Sequence, residues 1–285
     1  MSEYQYYWFE AIDKPLTPEQ QKELRAISTR AQVNSKRFEN EYHFGDLKAE
    51  PIKLVKKYFD AHCYYANWGT RILMLKVPAK SVDLPLVQQY ANDETLDIVK
   101  NGSNVIFDFT ADIDYNEEWW EIESEIKKFI SLRDSIIAGD YRCLYIAWLA
   151  AQYDDEDDDI GKKCRRKKPK MTPPIPPGMK NLTGQLRSFV DFMYLSESTL
   201  EKAIQNASAE EPLTPTLKEI KAWIADLSDK DREKVLVDLI QGKELPQTVQ
   251  RELLQRFLDD RRKLNQAKSK VTTAKPTKKS CRKKL

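Results

Sequence analysis

Residues 43–48 read His-Phe-Gly-Asp-Leu-Lys. An imidazole exchanges its proton near neutral pH, and a nearby carboxylate can orient it. His43 with Asp46 could therefore act as an acid or base and its orienter, with Arg71 holding an anionic substrate. The same residues also suit a plain turn, since Gly-Asp is turn chemistry and Asp46 can cap the segment that follows. Asp108, Asp112 and Asp114 form a second set. On a strand their even spacing puts them on one face, where three carboxylates could hold a divalent cation for hydrolysis or phosphoryl transfer. A solvated strand edge, where acids deter pairing with another chain, is the plainer explanation. In Asn67-Trp68-Gly69-Thr70-Arg71 a tryptophan beside an arginine could stack on a base or ring, or the indole could fold back over a sheet.

Charge is unevenly distributed. The net value of +2 combines a stretch at 261–285 with eleven Lys or Arg and no acid, and a remainder with 36 basic and 45 acidic residues, net −9. Lys278, Lys279, Arg282, Lys283 and Lys284 make the densest part of that basic end. Such a segment should attach to nucleic acid or another polyanion with strong salt dependence. A second basic run, KKCRRKKPK at 162–170, directly follows the acids DDEDDD at 154–159, which can neutralise it.

Other chemistries are excluded by what the sequence lacks. It has no GxxxxGK[ST], GxGxxG, GxSxG or HExxH motif, and eight glycines leave little for phosphate-cradling loops. Cys63, Cys143, Cys164 and Cys281 form no CxxC pair, and two histidines add little, so a structural zinc site is not expected. Free thiols in a reducing cytoplasm are the simpler expectation. No cofactor is expected. No apolar run reaches the ~18 residues a membrane span needs, and MSEYQYYWFEAID does not read as a secretory signal.

The elements that must position these residues follow from periodicity. YQYYWFEAID at 4–13 alternates as a strand does. Thr17-Pro18-Glu19-Gln20 is a capping box opening a helix to about Ser28. AQV and RFENEYHF read as extended, and Pro51 opens a second helix. Residues 61–78 form a hairpin around Asn67–Thr70, and Asn101-Gly102 marks another between TLDIVK and NVIFDFTADID. Helical periodicity begins at Glu117 and continues through DYRCLYIAWLAAQY. PPIPPG at 173–178 is extended chain, and further helices are expected at 182–194, 197–206, 216–227, 229–241 and 247–264. The expected fold class is α+β: a mostly antiparallel sheet domain at 1–152, a charged and Pro-rich linker at 153–180, a helical domain at 181–264 and a disordered basic tail at 265–285.

YQYYWFEAIDKPLT, RFENEYHFGDLK, YFDAHCYYANWGTRILMLKVP and AGDYRCLYIAWL resemble, in order and spacing, a family of uncharacterised bacterial proteins. The resemblance is strong over residues 4–150 and looser over PPIPPGM and the helices beyond. It implies a bacterial cytoplasmic protein and brings no activity with it. The two charged runs and the basic end look like local additions to the family pattern. The favoured function is a non-enzymatic interaction or adaptor protein. Its helical domain would dock a protein partner, while its basic tail, aided by Trp68 and Arg71, would contact nucleic acid, with no membrane involved. The alternative is a hydrolase or phosphoryl-transfer enzyme using His43, Asp46, Arg71 and the Asp108 face.

Overall fold

The computed structural model describes residues 3–113, 122–152, 172–205 and 217–240, together with 256, 257 and 260. The chain divides into two compact units at Thr214/Pro215. Among the described residues of the first unit the strands are β1 (Gln5–Glu10), β2 (Gln32–Val33), β3 (Arg37–Tyr42), β4 (Ala61–Ala66), β5 (Arg71–Pro78), β6 (Leu96–Asn101) and β7 (Asn104–Ala111). They make one seven-stranded sheet in the order β2-β3-β1-β4-β5-β7-β6, with every pairing antiparallel. The helices of this unit are α1 (Pro18–Ile27), α2 (Pro51–Lys57), α3 (Leu84–Val87), α4 (Ile122–Ile137), α5 (Arg142–Ala150), α6 (Gly184–Phe192) and α7 (Glu197–Ile204). The fold class is α+β, as the alternation and turn signals imply.

Both faces of the central strands are covered. Side chains alternate across a strand, so Tyr6, Trp8, Cys63, Tyr65, Leu73, Leu75, Phe107 and Phe109 line a first face. It is covered by Val87 of α3, Phe129 of α4, Leu144 of α5, Phe189 of α6 and Leu200 of α7. The alternate residues Tyr7, Phe9, Tyr64, Met74 and Ile106 line a second face under Leu24 of α1 and Leu54 and Val55 of α2. Double coverage explains why β4, AHCYYA, is buried along its whole length.

Local signals act as chemistry requires. The Thr17 hydroxyl accepts from Gln20 N while the Gln20 side chain accepts from Thr17 N, so both bonds of the capping box form. Gly102 takes φ +61° at the β6–β7 turn. At one end of the sheet a charged clamp ties α4 down. Asp60 accepts from the amides of Ile12 and Asp13 at 2.8 Å each and pairs with Lys76 at 3.2 Å. Arg133 of α4 reaches across to donate to the Lys76 carbonyl and the Asp13 carboxylate, each at 2.5 Å.

The expected domain boundary at 181 needs correction. Residues 172–204 belong to the first unit and its core. Met179 is buried, the Tyr90 hydroxyl donates to the Pro174 carbonyl at 2.8 Å, and Arg142 donates to the carbonyls of Gly178 and Asn181 at 3.1 and 2.9 Å. Residues 172–176 lie outside helix and strand and 177–180 form a turn, and the segment's carbonyls are held by Tyr90 and by Arg142 of α5. α6 and α7 bury Leu186, Phe189, Phe192 and Leu200 in the first-face core. Composition identifies such helices without revealing which core they join.

The second unit is described by α8 (Leu217–Asp226), α9 (Asp229–Ile240) and residues around Phe257. Trp223 of α8 meets Phe257 edge-on at 5.7 Å and donates to Asp260 at 3.1 Å. Ser228 caps α9 by accepting from Asp231 N. Asp114, the runs at 154–170, most of the helix expected at 247–264 and the tail at 265–285 lie outside the described residues. Among the described residues no helix is long and apolar enough to cross a membrane.

Candidate functional site

One end of the sheet gathers most of the residues singled out by type and spacing. Register pairs Tyr42 of β3 with Gln5 of β1, and Gln5 with Ala66 of β4. It also pairs Tyr65 with Arg71, and Arg71 with Ala111. The turn containing His43, the tip containing Trp68 and the segment containing Asp112 therefore all run off the same end.

Gln5 organises this end. It is only 3% exposed and points to the second face. Its amide nitrogen donates to the Gly45 carbonyl at 3.1 Å and to the Asp46 carboxylate at 2.9 Å. Its amide oxygen accepts from the hydroxyls of Tyr7 at 2.8 Å and Tyr64 at 3.0 Å. An amide has two donors and two acceptor positions, and here all four are used. Gly45 turns the chain with φ +77°, in the region that favours glycine. Burial, and then the Asp46 charge, hold the Tyr7 phenol above its ordinary pKa. Burial raises Tyr64 as well, followed by Tyr7 and then by the charges of Asp46 and Asp112.

His43 and Asp46 do not form the acid–base pair. His43 is exposed and its ring lies against Tyr4, centroid to centroid 5.4 Å. Tyr4 packs toward the first face, whereas Asp46 is engaged through Gln5 on the second. The turn reading describes this segment.

Arg71 is 4% exposed and points to the first face. It donates to the Asp191 carbonyl at the end of α6 at 2.8 Å and lies over the Tyr194 ring at 3.9 Å. Tyr194 in turn donates to the Gly69 carbonyl at 3.0 Å. A cation suits a helix C-terminus, so Arg71 and Tyr194 latch the β4–β5 tip to α6, and Arg71 is not open to a substrate.

Trp68 projects from that tip and is 40% exposed. Its indole donates to Thr70 at 3.1 Å, and the Thr70 hydroxyl donates to Asp112 at 3.1 Å, which fixes the ring's edge. Gly69 adopts φ +111°, and an added Cβ would lie 2.4 Å from the Ile113 carbonyl oxygen.

Asp108 belongs to a different place. It faces the second side from mid-β7, opposite Asp97 of β6 and Met74 of β5. Burial first, and Asp97 second, raise its pKa to about 6. Its Oδ1 is buried with no hydrogen-bond partner among the described residues. With Asp93, Glu94, Asp97 and Thr110 it lines a cleft of about 330 Å³. Asp97 is partly committed, accepting from Ile98 N at 2.7 Å. Among the described residues no three His, Cys, Asp or Glu side chains are grouped to hold a metal. Asp108 and Arg71 lie on opposite faces of the sheet, so the set His43, Asp46, Arg71 and Asp108 does not share one cleft.

Sequence reasoning overlooked Gln5, Tyr7 and Tyr64. The available signal was a glutamine in register with apolar residues on a buried strand face, since a buried amide needs partners. Compared with known proteins, the sequence matches no family model, no curated protein and no solved structure.

Proposed function

We propose that this chain is a non-enzymatic interaction protein of the bacterial cytoplasm that joins a protein partner to nucleic acid or a similar polyanion. The observation that carries the reading is charge segregation: eleven Lys or Arg and no acid in 261–285, against a net −9 for residues 1–260. Neutralising ~5 phosphates with such a segment would give a slope of roughly −4.5 in log affinity per decade of salt on duplex DNA. Commitment of Arg71 to α6 supports the non-enzymatic side, because it removes the anion-binding group from the alternative site. Ile224 of α8 and Leu236 and Val237 of α9 are exposed, Leu236 by 59%, which supports protein docking by the helical unit. Truncation after Asp260 is the test. It should abolish retention of a labelled DNA duplex at low salt, and unchanged retention would refute the tail mechanism.

A second reading, hydrolysis or phosphoryl transfer, has Asp108 in its favour: a carboxyl held near neutrality in a cleft among other acids suits general acid–base work. If that cleft takes a divalent cation, Mg²⁺ or Mn²⁺ should raise the melting temperature and Asp108→Asn should erase the rise. No rise in the parent protein argues against this reading.

A further inference from the structure

Phe44 is 82% exposed, whereas large aromatic side chains are usually buried for the most part. It sits in the turn that Gln5 pins through Gly45 and Asp46, so its display is a fixed feature of the fold. Trp68 is similarly placed. Tyr42 and Ala66 lie in one register row across β1, and Phe44 and Trp68 each stand two residues beyond it. Their strands are two spacings apart, on the order of 10 Å. Tyr4 fills the strand between, with its ring 5.4 Å from His43 and 6.4 Å from Tyr65. Phe44 and Trp68 are therefore both exposed at one end of the sheet.

Its charge indicates what it can receive. On residues 3–5, 41–48, 66–71 and 111–113 the exposed acids are Glu3, Glu41, Asp46 and Asp112, and the exposed basic side chains are Lys48 and His43, the latter against Tyr4. Asp112 is tied to Trp68 through Thr70, and Asp46 follows Phe44 by two residues. Asp46 is held by Gln5 in the turn that carries Phe44, and Asp112 by Thr70 beside Trp68, so a fixed carboxylate accompanies each exposed ring. Exposed rings between carboxylates complement ammonium and guanidinium groups and repel phosphate. We propose that this end of the sheet docks a Lys/Arg-rich segment of a partner protein, with its cationic side chains against Phe44 and Trp68 and between Asp46 and Asp112.

The residues of this surface are other than those of the basic end of the chain. Deleting 261–285 should leave it intact while removing polyanion retention, so the two readings fail independently. The test is fluorescence anisotropy of the full chain with a labelled Arg/Gly peptide, beside a Gln/Gly peptide and a single-stranded oligonucleotide. The Arg/Gly peptide should bind and the Gln/Gly peptide should not. Phe44→Ser and Asp112→Asn should each weaken binding about two- to fivefold, the scale of one exposed cation–aromatic contact, and Phe44→Trp should strengthen it. Lys48→Gln should leave binding equal or tighter. Thermal melts of the variants should match the parent, because the altered side chains are exposed. The proposal is overturned if the Arg/Gly peptide does not bind, if Phe44→Trp and Phe44→Ser both bind like the parent, or if Phe44→Ser weakens oligonucleotide binding instead.

Discussion

Asp108→Asn should stabilise the protein at neutral pH and have little effect in acid. Folding raises the Asp108 pKa from 3.8 to about 6, first because its carboxyl is buried and then because Asp97 stands opposite. Between those values the folded state keeps a proton that the unfolded chain has released. Stability therefore falls as pH rises through the window, and the full penalty remains above it. At ~1.36 kcal/mol per pKa unit the penalty is about 3 kcal/mol. Asparagine has nearly the same shape and no charge, so it removes this penalty. The parent and variant should differ by about 2–3 kcal/mol above pH 6, which is ~4–12 °C in Tm at ~2–4 °C per kcal/mol for a unit of this size. Urea denaturation followed by circular dichroism, from below the lower pKa to well above the higher one, measures the gap. Asp97→Asn should recover a smaller part of it, since Asp97 is the second cause. A gap that does not change with pH, or a variant less stable than the parent at neutral pH, would refute the reasoning.

Three further outcomes are expected. Gln5→Glu removes the two donors to Gly45 and Asp46 and sets a buried acid against Asp46, so urea melts should show a loss of about 2–4 kcal/mol. Gly69→Ala combines a φ of +111° with a Cβ 2.4 Å from Ile113 O; chemical denaturation should show a loss of at least ~1–3 kcal/mol, the scale of a strained backbone position. His62 is wholly buried, its ring stacked 4.0 Å from Phe9, and burial lowers its pKa from 6.5 to about 3. The unfolded chain binds that proton first, so stability should decline as pH falls through this window. Replacing His62 with Gln should flatten the decline in the same melts.

Local chemistry was legible in the sequence. Tyr6 and Trp8 alternate with Tyr7 and Phe9, and the structure sends them to opposite faces. The Thr17 box and the Asn101-Gly102 turn each depend on neighbouring residues, so their meaning survives without tertiary context. The insertion of β1 between β3 and β4 was not legible, because pairing with both depends on which apolar faces meet. Arg71 shows the same limit at the site. Its type suggested an anion, but its environment comes from Asp191 and Tyr194, 120 and 123 positions later, and converts it into a helix-end partner. Gln5 and Asp46, 41 positions apart, were equally hidden from any short window.

The Arg142 contacts have a consequence for how this chain can change. Arg142 is bound to Asp140 on one side and to the Gly178 and Asn181 carbonyls on the other. The polypeptide thus departs after α5 and is received again at the proline segment by the same body. Whatever lies between has its two attachment points set independently of its own composition. For a flexible chain joining two such fixed points, doubling the length would add only about 0.6 kcal/mol of closure entropy, so the sheet and its helices place little demand on the length of what joins them.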